Sequence, residues 1–255
     1  MSLKGKSIFI TGGTGGIGAP LVKLLRDAGG DVIAFNRQES GDLSDNIDSI
    51  CHTLSHLAPD ILINMAGYNE CAHCEDQHLS ELIALNLTVP MRLSQAVLPA
   101  MKQRNTGQII NVGSMMGIIP LPYYSGYVAA KAGIKAFSDC LRRELCDTGI
   151  RVTLIAPRAV QTRMNQGISS EINSQTGTAY DQPEEVAQRI FNAILLGEKE
   201  VRFGKPERFF AFMNANFPSV VDKGLRKNVR VGEAIFKHHK TESAKKLSTE
   251  LNNAT

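Results

Sequence analysis

Nowhere does this 255-residue chain carry an apolar run of the roughly 20 residues a bilayer-spanning helix needs, so no membrane span is expected. It also lacks a strong charge of either sign. Its 28 basic and 25 acidic residues leave a net charge of +3, and bulk charge therefore points to neither nucleic acid nor a membrane surface. Cysteine is sparse: five residues, an odd count, with no spacing that suggests a disulfide framework. Met1 to Lys6 leads straight into a strand, without the charged-then-apolar pattern of an export signal. These absences place the chain in the cytoplasm or a similar reducing compartment. No internal repeat or low-complexity linker interrupts it. Cys71 and Cys74 form a CxxC with His73 and His78 nearby, but a metal site would want a second pair or spaced histidines. The segment reads as a loop with free thiols, and no metal is expected.

What is present fits one large α/β domain. The hydrophobic fraction of 43% is ordinary for a soluble core. Short apolar runs at Ser7–Ile10, Val32–Phe35, Ile61–Asn64, Gln108–Val112, Val152–Ala156 and Val201–Gly204 read as strands. Helical spacing appears at Ala19–Ala28, Asn46–Leu57, Leu79–Met101 (with a bend possible at Pro90), Tyr127–Leu145 and Pro183–Leu196. Continuous apolar strands alternating with helices indicate a doubly wound parallel sheet covered on both faces. The catalytic domain is expected over residues 1–208, and 209–255 as a C-terminal extension of it. That extension begins apolar and aromatic, and its polar end is expected to fray.

Thr11 to Gly18 reads TGGTGGIG between a strand and a helix. Glycines let the backbone turn sharply and approach a pyrophosphate, and the following helix N-terminus offers N–H groups and partial positive charge. The run satisfies several glycine spacings at once, so alone it says dinucleotide and not which family. Tyr127 and Lys131 are four apart and share a helix face. A nearby ammonium lowers the pKa of a phenol, which otherwise lies near 10. Tyr123 and Tyr124 have no lysine four residues on, which singles out Tyr127. Ser114 follows a strand end, where open α/β sheets bind ligands.

Taken together, the chain resembles the short-chain dehydrogenases/reductases. The matching elements are TGGTGGIG at 11–18, NMAG at 64–67, Asn86 in ALNLT, Ser114 in NVGSMMG, YVAAK at 127–131 and APRAVQT ending at Thr162. Ser114 stands thirteen residues before Tyr127, the spacing of the short form of the family. The resemblance implies a Rossmann-like fold and a hydride transfer between a nicotinamide and a carbonyl or secondary alcohol. Tyr127 would be the acid in reduction and the base in oxidation. Lys131 would lower its pKa and hold the nicotinamide ribose, Ser114 would fix the carbonyl oxygen, and Asn86 would position a water linking Lys131 to solvent. Thr11, Gly12, Thr14, Gly16, Ile17 and Gly18 would surround the pyrophosphate. Asp42 and Leu43 would flank the adenine, with Asn64, Ala66 and Gly67 on the adenine-ribose side, and Pro157, Val160 and Thr162 would hold the nicotinamide end.

The chain departs from the family pattern in three places. Arg158 replaces the usual glycine after Pro157. The stretch from Arg37 to Asp42 is too short for the family's second helix and third strand, because a parallel crossover needs about a dozen residues. Strand 32–36 should therefore be an edge strand. The tail after Phe209 is also longer than the family's minimal core.

At the end of the second strand stand uncharged Asn36 and then Arg37, which favours NADP(H) over NAD(H), although both remain usable. Met115, Met116, Ile118, Ile119, Leu121 and Tyr124 follow Ser114 and suggest a hydrophobic small-molecule substrate, or else core or interface packing. A 3-oxoacyl-thioester reductase and a non-catalytic nucleotide-binding regulator are the alternatives. The two long helices suggest a homodimer or homotetramer. Between Phe209 and Lys227, aromatic and basic residues fit an amphipathic lid or a peripheral membrane anchor, but packing against the domain or a neighbouring subunit is the commoner fate of such a stripe.

Overall fold

The structure is a computed structural model that describes residues 2–35 and 41–253, with side chains to residue 242. Strands β1 (Ser7–Thr11), β2 (Asp31–Ala34), β3 (Ile61–Asn64), β4 (Gly107–Val112), β5 (Ile150–Ala156) and β6 (Glu200–Arg202) form one parallel sheet. Their order is β2-β1-β3-β4-β5-β6. Helices α1 (Gly18–Asp27), α2 (Ile47–Leu57), α3 (Leu79–Ile83), α4 (Val89–Gln103), α5 (Ser125–Glu144), α6 (Ile168–Thr176), α7 (Pro183–Leu196), α8 (Lys205–Asn216) and α9 (Pro218–Asn253) complete the fold.

Strand alternation sorts the core into two layers. Ile8, Ile10, Ile61 and Ile63 face one way, with Leu21 and Leu25 of α1 and Ile190 of α7. Phe9 and Leu62, at the intervening positions, face the other way, with Leu54 of α2, Leu93 of α4 and Leu141 of α5. Successive strand side chains point to opposite faces, so a continuously apolar strand serves both layers. Strand β2 lies at the sheet edge, and among the described residues no further strand lies outside it. The missing third strand is thus as the short 37–42 segment implies.

The predicted single helix Leu79–Met101 is interrupted before Pro90 rather than bent at it. Residues Ala84–Thr88 form one wide π turn between α3 and α4. Proline cannot donate to the carbonyl four residues earlier, and its ring crowds that carbonyl, so the helix widens just upstream. Asn86 lies inside this wide turn.

Beyond β6 the chain turns back. Helix α9 docks along one stripe, with Val221 and Ile235 buried. His73 and Phe236 meet Tyr123 edge to face, and the Tyr123 hydroxyl shares its one proton between the Val229 carbonyl (2.8 Å) and Glu233 (3.0 Å). His239 pairs with Glu171 of α6 at 2.8 Å. Helix α9 runs to Asn253.

Candidate active site

The ends of β1, β4 and β5 open into a cavity of about 1420 Å³. Gly12, Thr14, Gly16, Ile17 and Gly18 line one side of it. The backbone there is tightly cast. Gly12 holds φ +73°, and a Cβ on it would stand 2.8 Å from Ala66 N, while one on Gly18 would collide with the Gly12 carbonyl oxygen. The first turn of α1 has no capping side chain and no acidic residue. A glycine cradle with an uncapped helix N-terminus at the cavity fits a dinucleotide pyrophosphate.

Thr11 and Asn64 lie behind that wall. Thr11 Oγ1 accepts from Met65 N (3.1 Å) and Ala66 N (3.2 Å), which fixes the turn after β3. Asn64 Nδ2 donates to Asn111 Oδ1 (2.8 Å), Ser94 Oγ (3.2 Å) and Pro90 O (3.3 Å). Its side chain braces β3 against β4 and α4 instead of facing the cavity. Gly67 lines the cavity and Ala66 packs behind it. Leu43 is buried with Phe9 and Leu54, and Asp42 Oδ1 accepts from Ser44 N at 2.9 Å; neither lines the cavity. Arg37 lies outside the described residues.

Ser114, Tyr127 and Lys131 line the same cavity as the glycines, and so do Pro157, Val160 and Thr162, the last of which stands against Gly16. Ser114 follows β4 as the N-cap of a short 3₁₀ turn, its hydroxyl accepting from Met116 N at 3.1 Å. The Ser114 side chain pulls the pKa of the Tyr127 phenol down, but burial outweighs this and pushes the phenol up to about 12. Lys131 Nζ donates to the Val112 carbonyl (3.0 Å) and stands 5.5 Å from the Tyr127 ring centre. Burial lowers the lysine to about 8.

Asn86 is buried and donates to the carbonyls of Tyr68 and Leu82, both at 3.0 Å, while its Oδ1 has no partner. A Cβ on Gly67 would collide with that oxygen and stand 3.6 Å from Lys131 Nζ. The glycine therefore keeps open a space that both groups border. A water there would satisfy the orphaned oxygen, as buried polar groups require.

Sequence reasoning missed three supports. Gln77 Oε1 accepts from Gly126 N (2.9 Å) and Ser125 Oγ (3.2 Å), tying down the helix start that carries Tyr127. Tyr124 donates to Ser169 of α6 at 2.7 Å. Arg158 binds Asp181 through Nη2 (2.6 Å) and Nε (2.9 Å), and Glu207 through Nη1 (3.2 Å). The arginine that departs from the family pattern thus locks the loop before α7 to the start of α8. No signal marked Gln77, a polar loop residue outside any periodicity. The CxxC segment is spoken for locally: His73 pairs with Glu233 (3.1 Å) and His78 with Glu70 (2.8 Å).

A parallel sheet with a glycine cradle at one strand end and a Ser–Tyr–Lys set on the same cavity defines the class of nicotinamide-dependent oxidoreductases. Comparison with known proteins narrows this. The short chain dehydrogenase family model matches residues 43–173. The chain is 33% identical to 3-oxoacyl-(acyl-carrier-protein) reductase FabG of Vibrio cholerae, over 69% of this chain and 82% of that protein. It is 28% identical to dehydrogenase/reductase SDR family member 7B of Danio rerio, over 78% of this chain and 77% of that protein. Among solved structures, a short chain dehydrogenase from Burkholderia cenocepacia in complex with NADP superposes with a TM-score of 0.75 at 23% identity, covering 88% of this chain and 99% of that one. A 4-hydroxyisoleucine dehydrogenase complexed with NADH gives a TM-score of 0.66 at 26% identity, covering 74% of this chain and 90% of that one. The chain belongs to the short-chain dehydrogenase/reductase family and is an oxidoreductase of that family. Among the described residues no helix is long and apolar enough to cross a membrane.

Proposed function

We propose that the chain transfers a hydride between a nicotinamide dinucleotide, NADP(H) in preference to NAD(H), and a carbonyl or secondary alcohol carbon of a hydrophobic small molecule. The observation that carries this reading is the meeting of Ser114, Tyr127 and Lys131 on the cavity that the glycine cradle also lines. A buried phenol pushed up to about 12 keeps its proton through the neutral range and is therefore poised to donate.

When bound, the dinucleotide supplies or accepts the hydride. Gly12, Thr14, Gly16, Ile17 and Gly18 would hold its pyrophosphate, over a turn that Thr11 fixes. Ala66 and Gly67 would flank the adenosine, with Leu43 packed in the core and Asp42 and Asn64 bracing the backbone beneath, and Pro157, Val160 and Thr162 would enclose the nicotinamide. Ser114 holds the substrate oxygen and Tyr127 donates the proton to it. Lys131 grips the ribose and, with Asn86 and a water beside Gly67, carries a replacement proton to Tyr127. Met116, Ile119, Leu121 and Met164 give the substrate side of the cavity its apolar wall. Likeness to FabG supports a 3-oxoacyl thioester as a second candidate substrate. Residues 1–208 would form the catalytic domain and 209–255 its extension, in a cytoplasmic homodimer or homotetramer.

Tyr127→Phe keeps the ring and removes the proton donor. Turnover of a ketone, aldehyde and acyl-thioester panel should fall about 10²–10⁴-fold, with NADPH binding retained. Near-normal turnover would remove Tyr127 from the mechanism. For the cofactor choice, the kcat/KM ratio for NADPH over NADH should drop about tenfold to a hundredfold in Arg37→Ala, the worth of one charged hydrogen bond. An unchanged ratio would show that Arg37 does not read the 2′-phosphate.

A further inference from the structure

The corner where α8 meets α9 leaves its aromatic residues in solvent. Phe209, Phe210, Phe212 and Phe217 are 62%, 53%, 57% and 53% exposed, and neighbouring Val220 is 57% exposed. Single exposed apolar residues are ordinary, but a contiguous cluster of large ones marks an interaction surface. This cluster is not the inner face of an amphipathic helix left undocked. Helix α8 already has an inner face: Ala211 is buried, Asn214 donates to the Ile118 carbonyl (3.2 Å), and Glu207 turns in to Arg158. The phenylalanines are additional to that packing.

Basic residues flank them along α8 and α9. Lys205, Arg208, Lys223, Arg226, Lys227 and Arg230 are all exposed, and none is paired with an acid among the described residues. The one outward acid on this stretch is Asp222. The whole chain carries only +3, so the positive charge is concentrated here rather than spread over the surface. Phe209, Phe210 and Val220 also line the mouth of the active-site cavity, so the patch and the entrance are continuous.

We propose that this corner is a docking surface for an anionic lipid bilayer. Aromatic side chains flanked by basic residues suit the interface, where rings enter the headgroup–acyl boundary and cations meet phosphates. A second copy of the chain fits less well, because a two-fold contact would set these basic residues against their own copies. An acidic protein would answer the charge but not four protruding phenylalanine rings. Docking of this kind turns the cavity mouth toward the hydrocarbon and lets an apolar carbonyl compound enter without crossing bulk water.

The test is sedimentation of the full chain with vesicles, measured without turnover and so independent of the proposed reaction. Vesicles of equal parts phosphatidylcholine and phosphatidylglycerol should carry the protein down, phosphatidylcholine alone much less, and added salt should weaken the binding. Phe212→Ser combined with Phe217→Ser, both outside the cavity lining, should lower partitioning about tenfold or more. Lys223→Glu with Lys227→Glu should remove the preference for the anionic lipid, about tenfold in partitioning. Both pairs should keep the wild-type circular dichroism and NADPH titration. The proposal fails if the wild type binds neither vesicle, or if the variants bind as well as it does. It fails equally if the phenylalanine variant loses an oligomer seen in light scattering while vesicles bind nothing, or if a purified acyl carrier protein binds at this corner and vesicles do not.

Discussion

The two halves of the cavity are built from different material. The nucleotide half is made by backbone: glycines at the end of β1, the first turn of α1 and the turn after β3, all rooted in the sheet. The substrate half is made by side chains on α6, α8 and α9, which lie outside the sheet and are held by a few buried apolar residues and by polar contacts such as Tyr124–Ser169 and the Arg158 cluster. A half cast in backbone tolerates almost no added atom. A half lined by side chains can be reshaped one residue at a time, which is how one scaffold comes to serve many substrates.

The sharpest way to break this contrast is to add one carbon to the backbone half and to trim a side chain from the other. In Gly18→Ala the new Cβ collides with the Gly12 carbonyl oxygen and stands 2.8 Å from Gly13 Cα, both backbone atoms that cannot turn aside. Overpacking of this kind costs about 1–3 kcal/mol, so NADPH affinity by fluorescence titration should fall about tenfold to a hundredfold. Leu225→Ala, on the α9 side of the cavity, should leave that affinity within about twofold and move only the substrate KM. Equal effects of the two substitutions on cofactor binding would erase the distinction.

Arg158→Met probes the joint between the halves. It leaves Asp181 and Glu207 partly buried and facing each other's charge, and each already has one oxygen without a hydrogen-bond partner. Breaking such a cluster from one side should cost about 2 kcal/mol, lowering Tm by roughly 4–8 °C in a chain of this size. KM for substrate should rise while NADPH affinity holds, because α8 is anchored through this arginine and the glycine loop is not. A melting temperature within a degree of wild type would mean that the cluster is not what fixes α8.

What could be read from the sequence follows the same line. The glycine run, the Tyr127–Lys131 spacing and the short 37–42 segment each express a local requirement, namely a backbone that needs no Cβ, a shared helix face, or too few residues for a crossover. The sheet order and the position of the cavity follow from these. The π turn around Asn86 was visible only as a proline whose effect falls upstream of itself. Gln77 under α5, Asn111 beneath Asn64 and the docking of α9 on Tyr123 and His73 were not legible. They join residues far apart in the chain through single polar or aromatic contacts, which leave no period in the sequence. Arg158 stood out as an exception, but its partners Asp181 and Glu207 could be known only from the fold.

A further test concerns the wall that serves both halves, and it sets activity against stability. Burial lowers Lys131 from the ordinary 10.5 to about 8 and raises Tyr127 to about 12. Both shifts disfavour the charged form. The phenol thus keeps its proton across any practical assay range, and the lysine does not. If protonated Lys131 grips the ribose and feeds Tyr127, reductive kcat/KM should be level below pH 8 and fall about tenfold per unit above it. Stability should run the other way. The unfolded chain takes up the lysine proton first as pH falls through 10.5, so Lys131 weakens the fold progressively between pH 10.5 and about 8 and no further below. Raising pH through that window should therefore make the protein less active and, as far as Lys131 contributes, harder to unfold with urea. Lys131→Met should abolish most activity and remove that component of the alkaline gain in stability. An activity break nearer 10 than 8 would place Lys131 in a more solvated setting than its contact with the Val112 carbonyl describes.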